Sequence, residues 1–186
     1  GTRDGTLGLQ AALNCSAVEL VVDPSPMNNG VWLAQPLLLT NRGPKRVVVQ
    51  EGVRVEALPG AFLGKMDSLL TVFEADGVTI EASGATLHMR KEDYIQTDIY
   101  NHSEHRHALN ILGCTNLTVH GLQTNNSGGD GVYVTGSGNG KPPCTRVATV
   151  GLILRDVRST HNYRQGEPRT IQETDLVVKI VLPWIY

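Results

Sequence analysis

The chain has 186 residues, 40% of them hydrophobic, and its 16 basic and 18 acidic side chains give a formal net charge of −2. This size and composition suit one domain with a sizeable hydrophobic core. The charge balance offers no basic stripe for nucleic acid or an anionic lipid surface, and no apolar run approaches the roughly 18 residues of a membrane helix. Neither nucleic acid nor a membrane is therefore expected as a partner, and the sequence leaves the oligomeric state open.

The first predicted element is a short helix. The stretch "DGTLGLQAALN", residues 4–14, places Leu9, Ala12 and Leu13 on one face, as in an amphipathic helix of about two turns. We therefore predict a capping segment over residues 1–16. The chain opens on Gly1 with no visible signal peptide, which leaves open whether it is processed or a fragment.

Short apolar–polar alternations follow in two sets. The first set comprises "GVRVEA" (52–57), "GVTIEA" (77–82), "NLTVHG" (116–121) and "GLILRD" (151–156). The second set comprises "LLTVF" (69–73), "ALNIL" (108–112) and "GVYV" (131–134). Period-two alternation of this kind predicts half-buried strands.

The spacing of these strands predicts a repeat. Leu70 precedes Val78 by the same eight positions (78 − 70) that separate Leu109 from Leu117 (117 − 109), and the shortest repeat is about 25 residues. Such a repeat with little helix predicts an all-β solenoid of parallel strands, in which equivalent residues stack into columns about 4.8 Å apart. We assign one domain over 1–186, with coils at about 17–166. The last rung, 167–186, loses its turn glycines, which indicates an unusual rung or a truncated chain.

The sequence resembles the right-handed parallel β-helix, or pectin lyase-like, superfamily. The resemblance rests on the opening "DGTLGLQAALN", on "KRVVVQEGVRVEA", and on the later turns "NNSGGDGVYV" and "STHNYRQG". It covers roughly residues 4–166 and implies an extracellular or cell-surface protein with a polysaccharide partner. Members include lyases, hydrolases and epimerases of acidic polysaccharides, phage tailspikes and non-catalytic adhesins. The "DD", "GHG" and "DPH" patterns of three of its enzyme groups are missing here, so function has to be argued from the site.

One column of the repeat carries candidate catalytic residues. The register of the second strand set aligns Ser68, His107 and Asp130, with Gln165 as the expected next member. A histidine and an aspartate on adjacent rungs can hydrogen-bond, which would orient an imidazole as a general base. The alternatives are that Asp130 only caps a turn between two glycines and that His107 is a core histidine.

Charged residues flank the same corner. The insertion "RKEDYIQTDIYNHSEHRH", 90–107, is the densest polar stretch of the chain, and long insertions in compact domains are usually functional or disordered. The corner and its insertion supply Lys91, Asp93, Tyr94, Glu104, His105 and Arg106, with Arg164 from a later rung. Arginine is suited to bidentate binding of a uronate carboxylate. Asn110 and Tyr133 align in one outward-facing column, where the tyrosine could stack on a sugar ring.

These residues fit two reactions on an acidic polysaccharide. A lyase needs a base, here His107 or Lys91, and a cation that neutralises the uronate carboxyl, here Arg106 or Arg164. A glycoside hydrolase instead needs two carboxyl groups about 5–9.5 Å apart, for which Asp130 with either Glu104 or Asp93 is the candidate pair.

Two other functions compete with an enzyme. The chain could be a non-catalytic glycan-binding or surface β-helix module, or an inactive truncated fragment.

No cofactor or metal site is predicted. Acidic residues at Asp93, Asp98 and Glu104 could hold Ca²⁺, but no loop has dedicated calcium spacing. Three cysteines form no disulfide framework. Cys114 and Cys144 would be able to bridge in a secreted protein, whereas buried, inert thiols are the favoured interpretation.

Overall fold

A computed structural model describes residues 4–26, 28–138 and 147–163, which form one short helix and fourteen short strands. In chain order these are α1 (Thr6–Asn14), β1 (Glu19–Val22), β2 (Val31–Ala34), β3 (Leu37–Leu39), β4 (Arg42–Val49), β5 (Arg54–Ala57), β6 (Leu70–Phe73), β7 (Asp76–Glu81), β8 (Thr86–His88), β9 (Leu109–Leu112), β10 (Thr118–His120), β11 (Gln123–Asn125), β12 (Val132–Thr135), β13 (Ile153–Arg155) and β14 (Arg158–Thr160). The predicted helix is therefore confirmed. Its Leu9 and Leu13 are buried, as the amphipathic pattern requires.

The strands form three sheets in which all paired neighbours are parallel. Sheet 1 has the order β1-β4-β7-β10-β13, sheet 2 the order β2-β5-β8-β11-β14, and sheet 3 the order β3-β6-β9-β12. The chain thus passes through the three sheets in rotation, and each strand pairs with the strand three later in the sequence. The prediction of an all-β, parallel fold is confirmed.

Equivalent apolar residues stack into columns that form the core. In sheet 3, Leu70 pairs with Leu109, which pairs with Val132, as the second strand set predicts. In sheet 1, Val47 pairs with Ile80, and Ile80 pairs with Val119. The alternation in the sequence therefore places one residue of every two in the interior, because successive side chains point to opposite faces of a strand.

The alignment of "GVRVEA" with "GVTIEA" is wrong. The first segment contains β5 of sheet 2, whereas the second contains β7 of sheet 1. The counterpart of Ile80 is Val47, 33 positions earlier (80 − 47), so this repeat is longer than the predicted 25. The two segments share their alternation because any strand with one buried face shows it, whichever sheet it joins.

One corner, between sheets 1 and 2, is turned by a stack of residues with positive φ: Gly30, Gly52, Gly84, Gly121 and Asp156. Glycine adopts this conformation without strain. At Gly121 it is also needed for space, because a Cβ there would lie 2.6 Å from the Cα of Ser83.

Three connections meet at a different corner, between sheets 2 and 3. They are the loops 58–69, 89–108 and 126–131, which follow β5, β8 and β11 in turn. Because those strands are neighbours in sheet 2, the loops are brought side by side. The predicted last rung, 167–186, lies outside the described residues.

The core column of sheet 3 is expected to dominate stability. Leu109 has no exposed surface, so Leu109→Ala should lower the free energy of unfolding by about 2–5 kcal/mol through lost burial and a residual cavity. Leu38→Ala is the matched control, because the Leu38 side chain is 43% exposed and its loss should cost under about 0.5 kcal/mol. Urea unfolding measures both; equal effects of the two variants would contradict the assignment of Leu109 to the core.

Candidate functional site

Arg106 fastens two of the long loops together. It has no exposed surface, and its Nε donates a hydrogen bond to the carbonyl oxygen of Phe62 at 3.0 Å while Nη2 donates to that of Asn101 at 3.1 Å. Its guanidinium also lies over two aromatic rings, 5.3 Å from the centre of Tyr94 and 5.6 Å from that of Tyr100. The prediction that Arg106 binds a uronate carboxylate is not supported, because the guanidinium is buried and directed at backbone carbonyls.

Aromatic contacts reinforce this fastening. The Tyr94 and Tyr100 rings meet edge to face at 5.3 Å, and the Tyr100 hydroxyl accepts a hydrogen bond of 2.9 Å from the backbone N–H of Gly60. The Ser103 hydroxyl donates to the carbonyl oxygen of Lys65 at 2.5 Å. The 89–108 loop is thus held against the 58–69 loop along much of its length.

His107 and Asp130 lie in contact, as predicted, but the contact has a structural role rather than a catalytic one. Nδ1 of His107 accepts a hydrogen bond of 2.9 Å from the backbone N–H of Asp130, and the Asp130 carboxylate lies 3.6 Å from the same nitrogen. An Nδ1 that accepts leaves the proton of a neutral imidazole on Nε2. The ring has no exposed surface and stacks on Tyr133, with 4.5 Å between ring centres. This placement does not support a general base acting in an open groove.

The remaining predicted residues of this corner differ in how much of their surface is exposed. Asn110 pairs in register with Tyr133, as predicted, yet only 5% of Asn110 is exposed, so it does not face a ligand on an open surface. Glu104 is exposed, and its backbone carbonyl packs so closely on Gly129 that a Cβ there would lie 2.4 Å from the carbonyl oxygen. Arg164 lies outside the described residues.

A cavity opens beside these contacts, and we call it the loop cavity. Its volume is about 180 Å³, and it is lined by Lys91, Tyr94, Ile95, Thr97, His102, Ser103, Gly128 and Tyr163. An engineered apolar cavity of about 150 Å³ accommodates benzene, so this space suits one six-membered ring. The 89–108 loop supplies most of the lining, and the next two turns of the chain add Gly128 and Tyr163.

The sequence predicted part of this lining. Lys91 and Tyr94 were expected to bind substrate, and both line the loop cavity. His102, Thr97 and Ser103 were missed, although they lie in the polar insertion that drew attention to this loop. Tyr163 was missed because its contribution depends on which rung stacks beside the loop.

Neutral and cationic groups line the loop cavity. Among the described lining residues there is no aspartate or glutamate. The nearby carboxylate of Asp93 is bound by Arg90, with Nε donating at 2.5 Å, and this hydrogen bond raises the pKa of the Arg90 guanidinium. The lining is therefore better suited to an anionic ligand than to a cationic one.

Tyr94 lines this cavity, but its hydroxyl oxygen is enclosed. The residue is 8% exposed, and burial raises the pKa of the phenol above its usual range. The oxygen itself has almost no exposed surface, and a hydrogen bond with the backbone of Arg90 partly offsets the effect of burial on the pKa. We therefore do not expect a ligand in the cavity to reach this hydroxyl.

Sheet 2 presents a second polar surface next to the loop. His88 bonds through Nδ1 to the side-chain oxygen of Asn125, and Glu56 on the neighbouring strand pairs with Arg54 at 2.9 Å and with Arg90 at 3.0 Å. Burial, and then the charge of Arg54, lower the pKa of His88 below its ordinary 6.5.

This shift gives stability a pH dependence. The unfolded chain takes up a proton at His88 near pH 6.5, whereas the folded chain resists it until a lower pH. The free energy of unfolding should therefore fall as the pH drops from about 6.5 towards the folded pKa and stay level above that window. Urea unfolding from about pH 7.5 to 5 measures it. His88→Gln should flatten this part of the profile; an unchanged slope in His88→Gln would contradict the assignment to His88.

In the described ranges, no group of three or more histidine, cysteine and acidic side chains is arranged to hold a metal ion. No helix there has the length and apolar character needed to cross a membrane. Cys114 is buried, and burial raises the pKa of its thiol, while Cys144 lies outside the described residues, so the predicted alternative of a bridge stays untested.

Comparison with solved structures shows a likeness in fold. The chain is similar to the crystal structure of a protein described as a "putative glycosyl hydrolase" from Parabacteroides merdae, with a TM-score of 0.51 and 13% sequence identity. The match covers 87% of this chain and 67% of the other. At this identity the likeness concerns the fold alone. No protein-family model matches the sequence, and a search of curated proteins finds no significant relative.

Proposed function

We propose that this chain is a right-handed parallel β-helix protein, acting outside the cell, that binds an acidic polysaccharide in the loop cavity. Three parallel sheets visited in rotation are the arrangement that a β-helix requires. The likeness to a protein described as a glycosyl hydrolase agrees with a carbohydrate ligand. The observation that carries the proposal is the lining of the loop cavity: Lys91, His102 and two tyrosines, with no acidic side chain among the described lining residues.

Each kind of group in the lining has a counterpart on a uronate sugar. The Lys91 ammonium can pair with the sugar carboxylate through a charge-assisted hydrogen bond. Tyr163 is 46% exposed and Ile95 is 66% exposed, so both can contact the apolar face of a sugar ring. Binding therefore needs no rearrangement of the Arg106 contacts beneath the cavity.

For an enzyme, the lining favours a lyase over a hydrolase. Glycoside hydrolysis needs two carboxyl groups, and the described lining supplies none. A lyase needs a base and a neutralising cation, and His102 and Lys91 are of the right types. In this proposal His102 removes the proton next to the sugar carboxyl, and Lys91 balances the carboxylate charge. A C=C bond forms as the glycosidic C–O bond breaks, and the departing sugar oxygen takes a proton from water.

A non-catalytic binding module is the second candidate. The burial of His107 and Arg106, two of the predicted catalytic groups, favours it, because neither can reach a substrate. The two candidates share the same ligand and the same cavity, and they differ only in whether product appears.

Lys91→Met tests both candidates. We expect it to weaken binding of polygalacturonate, alginate or a glycosaminoglycan at least about tenfold, because a charge-assisted hydrogen bond contributes about 1.5–3 kcal/mol. Isothermal titration measures binding, and ultraviolet absorbance detects the unsaturated ends that a lyase releases. Lys65→Met is the matched control, since Lys65 is an exposed lysine of the neighbouring loop that does not line the cavity.

The outcomes separate the candidates. Product formation that is lost in Lys91→Met and His102→Ala but kept in Lys65→Met supports the lyase. Binding that depends on Lys91 without product from any of these polymers supports the module. Binding of none of them, or equal binding by the two lysine variants, overturns the proposed function.

A further inference from the structure

Lys45 is a buried lysine at the helical end of the fold, away from the 58–69, 89–108 and 126–131 loops. It lies on β4, is 3% exposed, and pairs in register with Val78, which has no exposed surface. Its side chain therefore lies on the interior face of sheet 1, where a charge is costly unless it is paired.

The Lys45 side chain contacts Cys15. Its Nζ donates to the carbonyl oxygen of Cys15 at 2.6 Å and to that of Ala17 at 3.3 Å, and it lies 3.8 Å from the sulfur of Cys15. Three acceptors match the three protons of an ammonium group. The carbonyls belong to the end of α1, where a cation is favourable.

No carboxylate balances this charge within the described residues. The ion pairs found there do not include Lys45, and its carbonyl partners are neutral. The sulfur of Cys15 is the acidic group in contact with the ammonium.

We propose that Cys15 and Lys45 form an oxidation-sensitive pair, in which hydrogen peroxide oxidises Cys15 and Lys45 captures the product as a sulfur–nitrogen cross-link. Cys15 is half-buried, in contrast to the buried Cys114. The buried amine is already at the sulfur, so capture needs a shift of about 2 Å rather than a loop rearrangement.

The first step is peroxide reduction. The Cys15 thiolate attacks one oxygen of hydrogen peroxide, an S–O bond forms and the O–O bond breaks. The departing hydroxide takes a proton from the Lys45 ammonium and leaves as water. Sulfur loses two electrons to the peroxide, and the products are a sulfenic acid and a neutral amine.

The second step is condensation. The Lys45 amine nitrogen attacks the sulfenic sulfur, an S–N bond forms, the S–O bond breaks, and the hydroxyl leaves with an amine proton as water. The product is a sulfenamide that joins the end of α1 to β4. Relative to the starting thiol and amine, the chain has lost two hydrogen atoms, and excess thiol reverses the reaction.

Mass spectrometry of the peroxide-treated protein tests the proposal. We use a Cys144→Ser background, so that Cys15 and Cys114 are the remaining thiols. The expected product is two hydrogens lighter, contains a peptide with Cys15 joined to one with Lys45, and reverts in dithiothreitol. Cys114 has no exposed surface and should stay unmodified, which makes it an internal control.

Lys45→Met removes the amine and keeps the length of the side chain. Its Cys15 should form no cross-link, because the attacking nitrogen is gone. The cross-linked peptide in the unmutated lysine protein is decisive even where Lys45→Met folds poorly. The proposal is overturned when that protein yields only a sulfenic acid trapped by dimedone, or when Cys15 stays unmodified.

Discussion

Replacing Arg106 by methionine should lower the free energy of unfolding by about 3–5 kcal/mol and abolish glycan binding in the loop cavity. The guanidinium satisfies carbonyls of both the 58–69 and 89–108 loops, and hydrogen bonds to a charged group contribute about 1.5–3 kcal/mol each. Methionine fills part of the volume but leaves those carbonyls without a donor. Urea unfolding measures stability, and limited proteolysis of the 89–108 loop reports whether it has come loose.

Arg42→Met is the control for the loss of an arginine. Its side chain is 74% exposed and pairs with Glu74 at 2.9 Å on the surface, where such pairs contribute under about 1 kcal/mol. Arg106→Lys keeps the positive charge but lacks the planar guanidinium with its several N–H donors. Its free energy of unfolding should therefore lie between those of Arg106→Met and the unmutated chain. Should Arg106→Met match Arg42→Met in stability, Arg106 does not fasten the loops.

The second large effect is expected at His107. His107→Ala removes a fully buried ring that stacks on Tyr133 and accepts from the Asp130 amide, so we expect a loss of about 2–4 kcal/mol. His107→Asn offers an amide oxygen to the same N–H and should recover part of the loss. Thermal and urea unfolding of the two variants provide the comparison.

The same pair of variants separates a structural histidine from a catalytic one. For a structural role, any activity on polyuronates should survive in His107→Asn. An asparagine variant that is stable but inactive would show instead that the imidazole takes part in the chemistry.

The sequence predicted the strands well because each has one buried face. Leu70, Leu109 and Val132 were placed in one column by spacing alone, and they pair in that register. The same alignment predicted that His107 lies beside Asp130. These predictions depend on short-range periodicity, which survives in the sequence because a slip of one residue would turn every core side chain outwards.

Sheet membership could not be predicted in the same way. "GVRVEA" and "GVTIEA" are almost identical, yet they lie in sheets 2 and 1. A buried face imposes the same alternation in any of the three sheets, so the pattern contains no information on which sheet a strand joins.

The candidate site was predicted by region but not by residue. The 90–107 insertion was identified from its polar density, and Lys91 and Tyr94 line its cavity. Arg106 was expected to meet a ligand, but it is buried against carbonyls from a loop more than 40 positions away in the sequence. Side-chain direction in a long loop depends on such distant contacts, which no local pattern records.

The most direct test of the account is a crystal structure of the protein with a uronate oligosaccharide. We expect a sugar ring in the loop cavity, with its carboxylate on Lys91. An oligosaccharide bound elsewhere, for instance along sheet 2 beside Arg54 and His88, with the loop cavity left open to solvent, would contradict it.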